Sequence, residues 1–199
     1  MDAGPDGGEG DLRKRAEAVR LKRIVAFACT RAVLPEDAVM RLVVIAVGRL
    51  KQGPERELAD RYRERFDDIG RKLGFRGLES HEISESRARD AASRIAEEAG
   101  AIAAAIPEKS MLVALDEHGE NIDSTVFSRY LGSWRDQGAG HTIFMIGGAD
   151  GLSPELRRNA RISIAFGSAT WPHQMVRIML LEQLYRAATI LAGHPYHRT

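Results

Sequence analysis

Apolar residues run without interruption over 42–48 (LVVIAVG), the pattern of a strand covered on both faces rather than one with a wet side. Pro54 then opens a helix to about Gly70, with Leu58, Tyr62, Phe66 and Ile69 on one stripe. A weaker strand is predicted over 75–83. Ser86 is read as the cap of a long helix reaching Ile106, whose inner face carries Ala92, Ile95, Ala99, Ile102 and Ala103 and which Pro107 ends. Residues 111–115 (MLVAL) form the next strand, 116–121 a loop, and Asp123 or Ser124 caps a helix through Gln137 that Gly138 to Gly140 end. A buried strand follows over 141–148, then a short helix with Ser153 as cap and Pro154 at its first position, then a last strand over 162–167. Strands alternating with helices in this way predict an α/β fold, a mostly parallel open sheet covered by helices on both faces.

The final helix breaks the amphipathic rule. From Thr170 and Pro172 to Gly193 it is apolar around most of its circumference: Met175, Val176, Ile178, Met179, Leu180, Leu181, Leu184, Tyr185, Ala188, Ile190 and Leu191. One side packs on the sheet and the rest needs a second cover, either a second copy of the chain or the chain's own N-terminal extension. Beyond Gly193 the chain turns polar, with His194, Tyr196, His197 and Arg198. A terminus tied into an ordered site and a plain solvated tail are both compatible with that composition.

Length and charge add domain boundaries and a polarity. The 199 residues suit one domain plus an appendage. Residues 1–39 are that appendage: the glycine-rich acidic start is expected to be poorly ordered, 12–30 to form a basic helix and 33–39 a connector, with Met40 as an alternative start. Residues 40–199 are the domain proper. The net charge of +1 conceals an asymmetry, since 153–199 hold six arginines against two acids. Those arginines read either as a polyanion-binding region or as ordinary solvated helix faces. The single cysteine, Cys29, offers no disulfide framework and no thiolate cluster, so a reducing, cytoplasmic setting is expected. No apolar run approaches the roughly 20 residues that span a bilayer, and a membrane role is not expected.

Three strand ends collect the residues with chemistry in them. Leu115 is followed by Asp116, Glu117 and Gly119; Ile146 by Gly147, Gly148, Ala149, Asp150 and Gly151; Phe166 by Gly167, Ser168, Ala169 and Thr170. In an open α/β sheet, ligands bind outside the carboxyl ends of the strands. GGADG lacks the G-x-G-x-x-G spacing and a P-loop lysine, so neither a dinucleotide nor a nucleoside triphosphate site is supported. Asp150 reads as a turn residue bonding its own backbone. His194 and His197 lack the further ligands a metal site needs, and no metal is expected. Trp171 beside Pro172 reads as a packing residue, though it could also meet a ligand.

IGGADGLSPE, TWPHQMVRIMLLEQLYRA and the terminal GHPYHR, in this order and spacing after MRLVVIAVGRLK, resemble the bacterial 23S ribosomal RNA pseudouridine N3-methyltransferases of the SPOUT class. The resemblance covers 40–199. It implies a trefoil knot at the C-terminal end of the fold, a homodimer with its sites at the subunit interface, and S-adenosylmethionine as cofactor. Cofactor contacts carried over by position are Leu115, Gly147, Phe166, Gly167, Ser168, Ala169, Thr170 and Trp171. The implied reaction is methylation of N3 of a pseudouridine in 23S ribosomal RNA within the assembled ribosome. His197 is then the leading candidate base, with Tyr196 positioning it and Arg198 holding a phosphate or the developing anion. His194 and His173 are second choices, and His173 reads better as a structural or cofactor-shell residue. Two other readings stay open: a SPOUT enzyme acting on another RNA such as tRNA, and a noncatalytic ribosome-associated RNA-binding module.

Overall fold

A computed structural model of the chain describes residues 39–194. The expected basic helix over 12–30, the connector before Val39 and the tail residues Tyr196, His197 and Arg198 lie outside the described residues. Among the described residues five strands and five α-helices alternate: β1 (Met40–Val47), α1 (Pro54–Gly70), β2 (Phe75–Ile83), α2 (Ala91–Ala104), β3 (Met111–Asn121), α3 (Ser124–Asp136), β4 (His141–Ile146), α4 (Pro154–Asn159), β5 (Ile162–Ala165) and α5 (His173–Leu191). A single 3₁₀ turn, Arg71–Leu73, joins α1 to β2. The strands form one sheet in the order β2-β1-β4-β3-β5, and every pairing is parallel.

Alternation along β1 shows why its run is unbroken. Leu42, Val44 and Ala46 enter one core with Phe66 of α1, Phe127, Leu131 and Trp134 of α3, and much of α5. Val43, Ile45 and Val47 enter the other, with Ile102 of α2 and Leu156 of α4. Both faces of the strand are therefore dry, as a central parallel strand requires. The all-round apolar character of α5 has its explanation here too. It packs against α1 and α3 as well as the sheet, so Ile178, Leu180, Leu181, Leu184, Tyr185 and Ala188 are buried within a single protomer. Most of the cover that the sequence assigned to a second copy or to the N-terminal extension comes from α1 and α3; Met175 is the apolar side chain of this helix that stands exposed.

Three expectations from the sequence are corrected. Asp90, not Ser86, caps α2, accepting the Ser93 N–H at 2.8 Å in the standard N-cap arrangement. Ser86 instead donates to Glu97 and accepts the Ala88 N–H, in an extended stretch before the helix. The helix also ends at Ala104, and Ala92 and Ala103 of its expected inner face are exposed. Finally, residues 116–121 are not simply a loop, because β3 continues through them to Asn121. Leu115 and Glu120 both stand opposite Ile164 of β5, so Asp116, Glu117, His118 and Gly119 bulge out of the ladder before pairing resumes. A side chain at Gly119 would meet the backbone of Ser163 and Ile164 at 2.7 Å, which is why glycine closes the bulge.

Candidate active site

The bulge, the turn after β4 and the run between β5 and α5 converge on one cavity of about 700 Å³, within the range of sites that hold a cofactor-sized ligand. Leu115, Gly147, Phe166, Gly167, Ala169, Thr170 and Trp171, all expected from the sequence, line it. Ser168 does not: it is exposed on the same run, away from the lining.

Each lining segment is held by a specific contact. The turn 147–151 closes on itself, with the Gly151 N–H donating to Gly148 O at 3.1 Å. A side chain at Gly147 would come within 2.6 Å of Gly151 O and 2.7 Å of Leu152 N, so only glycine lets the strand enter this turn. Asp150 is not the self-bonding turn residue expected from sequence. Arg94 of α2 donates to both its carboxylate oxygens, at 2.7 and 3.1 Å, and that hydrogen-bonded guanidinium holds the carboxyl below the usual carboxylate range. One turn further along α2, Glu98 is only 6 % exposed; its Oε1 accepts the Ser86 N–H at 3.0 Å. A side chain at Gly148 would reach its Oε2 at 2.8 Å, so this second glycine also makes room for a buried neighbour.

The run 166–171 is pinned from both sides. Asn121, at the resumed end of β3, accepts the Gly167 N–H at 2.7 Å, and the Thr170 hydroxyl donates to Glu117 at 3.0 Å. Trp171 is no buried packing residue: 43 % of it is exposed, and its indole N–H donates to Phe166 O at 2.9 Å. That bond fixes the ring at the cavity wall. On the β3 bulge, the Asp116 carboxylate accepts the His118 N–H at 3.0 Å and Arg157 at 3.3 Å.

His173 opens α5 and lines the cavity. Its Nε2 lies 3.5 Å from the Glu85 carboxylate, and a side chain at Gly48 would reach that nitrogen at 2.5 Å. Gly48, at φ +85°, thus combines a left-handed turn with a close approach to the helix. His194 is exposed just past α5, where its N–H donates to Thr189 O at 2.9 Å and closes the helix end.

One arginine of the basic C-terminal region has a different job from the others. Arg177 is 1 % exposed and donates to Glu82 at 2.8 Å and to Gly48 O at 2.7 Å, so it ties α5 to the ends of β1 and β2. Burial pulls its guanidinium below the ordinary arginine range, with Glu82 countering. Burial also pushes the Glu82 carboxyl up, but the Leu50 N–H, Arg56 and Arg177 together outweigh it and hold that carboxyl below its ordinary value. Neither a solvated face nor a polyanion surface describes this residue.

The sequence missed Ile95, Pro154, Arg157 and Val176 as lining residues and noted Asp116, Glu117 and Asp150 only as neighbours of the strand ends. For Asp116 and Glu117 a signal was present in the spacing: an acidic pair directly after a buried strand, closed by Gly119, is a bulge pattern at the ligand-binding end of a sheet. The cavity fits S-adenosylmethionine on its own terms. It offers backbone freed by glycine at Gly147, apolar walls from Leu115, Ile146 and Val176, and carboxylates suited to a ligand that carries a sulfonium and an ammonium.

Known proteins include relatives that match most of this chain. A ribosomal RNA large subunit methyltransferase H of Bradyrhizobium diazoefficiens is 82 % identical over 159 residues, which cover 80 % of this chain and 99 % of that protein. The protein of the same description from Bradyrhizobium sp. is 76 % identical over 159 residues, 80 % of this chain and 98 % of that protein. Among solved structures, a probable methylase family protein from Haemophilus influenzae aligns over 80 % of this chain and 70 % of its own at 12 % identity, with a TM-score of 0.45. The family model described as "Predicted SPOUT methyltransferase" matches residues 40–197, and the chain belongs to the SPOUT methyltransferase family.

Proposed function

We propose that this protein transfers the methyl group of S-adenosylmethionine to N3 of a pseudouridine in 23S ribosomal RNA, acting on assembled ribosomes in the cytoplasm. The observation that carries the reading is the convergence of Leu115, Gly147 and the 166–171 run on one cavity, in a chain whose relatives at about four-fifths identity are ribosomal RNA large subunit methyltransferases. When bound, the cofactor supplies an electrophilic methyl group on a sulfonium that is already a good leaving group.

The chain's own residues supply position. Backbone atoms of 166–171 hold the adenine end, and Leu115 and Gly147 set its depth. In-line displacement then depends on holding the acceptor nitrogen near the methyl, which accounts for much of the barrier lowering in such reactions. The acceptor N3 has to lose a proton, and His197 is assigned that role, with Tyr196 orienting it and Arg198 countering the charge that develops. The domain works as a homodimer in which the tail completes a site near the subunit interface, and α5 belongs to a trefoil knot at the C-terminal end of the fold. The methyltransferase domain is assigned to 40–199, with 1–39 as an extension before it.

The test is methylation of ribosomes prepared with and without the pseudouridine, the modified base being read by mass spectrometry. Transfer confined to the pseudouridine-containing particle is the expected outcome. Transfer to tRNA and not to ribosomes overturns the assignment.

A further inference from the structure

Among the described residues, the cavity wall carries three carboxylates, from Asp116, Glu117 and Asp150, and a single Lys or Arg side chain, Arg157. Two of those carboxylates are engaged with groups other than Arg157: Asp150 with Arg94 and Glu117 with the Thr170 hydroxyl. The third, Asp116, has a side chain only 9 % exposed and takes Arg157 through one nitrogen, at 3.3 Å. That single contact aims the guanidinium while leaving most of its donors without a partner among the described residues. Arg157 comes from α4, the helix that follows the 147–151 turn, and its side chain remains 37 % exposed. It is therefore neither a spent partner in a closed ion pair nor a freely solvated surface cation.

An aimed, half-open guanidinium beside a buried carboxylate is an anion receptor. Of the ionised groups on S-adenosylmethionine, the sulfonium and the ammonium suit the acidic wall, and the carboxylate does not. We propose that Arg157 receives the α-carboxylate of the cofactor's amino-acid end, and that Asp116 is the positioning residue that aims it. The inference rests on the cofactor reading above and deepens it. The adenine end is assigned to the 166–171 run, whereas Arg157 and Asp116 come from the other two lining segments.

Isothermal titration of the full-length protein separates the ends of the ligand. S-adenosylhomocysteine carries the carboxylate, 5′-methylthioadenosine lacks the whole amino-acid end, and decarboxylated S-adenosylmethionine lacks the carboxylate alone. Arg157→Ala is expected to weaken S-adenosylhomocysteine about 10- to 100-fold, the scale of one charged hydrogen-bonded contact. Its affinity for the other two ligands should stay within about 2-fold of wild type, as non-interacting changes do. Arg157→Lys should recover part of the loss as a point charge, and Asp116→Asn should reproduce part of it. Equal weakening of all three ligands overturns the proposal by making Arg157 a structural prop. Unchanged S-adenosylhomocysteine affinity together with a raised KM for ribosomes also overturns it, because the guanidinium then serves an RNA phosphate. The wild-type protein gives an independent check: removing the carboxylate from S-adenosylmethionine should cost it a comparable factor, and no cost sinks the idea without any variant. Failure of the wild-type protein to bind any of the adenosyl ligands counts against the cofactor reading itself.

Discussion

Gly147 and Arg177 show how single positions hold the site. A methyl at residue 147 would press on Gly151 O and Leu152 N inside the turn that lines the cavity, and the turn has no flexible side chain there to yield. Gly147→Ala should therefore cost about 1–3 kcal/mol of stability, as overpacking typically does. It should also weaken cofactor binding more than about 10-fold if the cofactor occupies the cavity as proposed, because the displaced turn is one of its walls. Thermal melting and titration with S-adenosylhomocysteine check the two parts separately. Near the start of α5, Glu82 is the carboxylate partner of a fully buried Arg177, and its folded-state pKa lies below the ordinary 4.5. A depressed carboxylate contributes stability that is present above the unfolded value and is lost as pH falls through the folded one. Glu82→Gln should therefore destabilise the protein at neutral pH and flatten the loss of Tm on acidification below about pH 4.5. A cost of about 2 kcal/mol is expected at neutral pH, below the usual range for breaking a buried pair because Glu82 keeps one side in water. An acid limb as steep as that of the wild type would show that this carboxylate carries none of the pH dependence.

At the scale of elements, hydrophobic patterning located the five strands and five helices of the described residues because a dry parallel sheet and its covering helices leave a period that any buried element must obey. What patterning misplaced were ends, where the deciding contact comes from elsewhere in the chain. Ser86 is a good N-cap by type, but its hydroxyl is drawn to Glu97 and its N–H to Glu98, so the backbone stays extended until Asp90. Asp90→Ala should lower the urea midpoint and the helix content of the protein, whereas Ser86→Ala should leave the start of α2 where it is. Amide hydrogen exchange at Ser93 and Arg94 reads the difference directly, since a lost cap exposes the first-turn N–H groups. Slowly exchanging amides in Asp90→Ala would return the cap to Ser86. The β3 bulge was only half legible for a related reason: the acidic pair closed by Gly119 marks where the strand leaves the ladder, but resumption of pairing at Glu120 and Asn121 depends on the register of β5, some 40 residues away, and no local signal encodes that. The same long-range logic hid Arg157 and the Arg94–Asp150 contact, whereas the 166–171 run, which lines the cavity except at Ser168, was legible as a strand end from its position after β5.

For the molecule as a whole, the arrangement of α5 sets what a truncation can reveal. Packing by α1, α3 and the sheet buries most of this helix inside one protomer, and the helix is closed before the tail begins by the His194 N–H bonding Thr189 O. Ending the chain at His194 should therefore leave the fold and the cofactor cavity intact. Among the described residues, those that line it run from Ile95 to Val176, upstream of the cut. If His197, Tyr196 and Arg198 serve the acceptor nitrogen, the shortened protein should bind S-adenosylhomocysteine like the full chain while methyl transfer to ribosomes falls by about 10² to 10⁴, the usual contribution of a placed base. Sedimentation must be run alongside, because a tail that reached into a second protomer's site would act only while the dimer persists. A dimeric, cofactor-binding truncate with full activity would remove the tail from the chemistry. Mixing the truncate with a Gly147→Ala chain then separates the two geometries. A heterodimer joins one intact cavity to one intact tail on opposite chains, and it recovers activity only if the tail works across the interface, where a tail acting within its own subunit leaves both chains inactive.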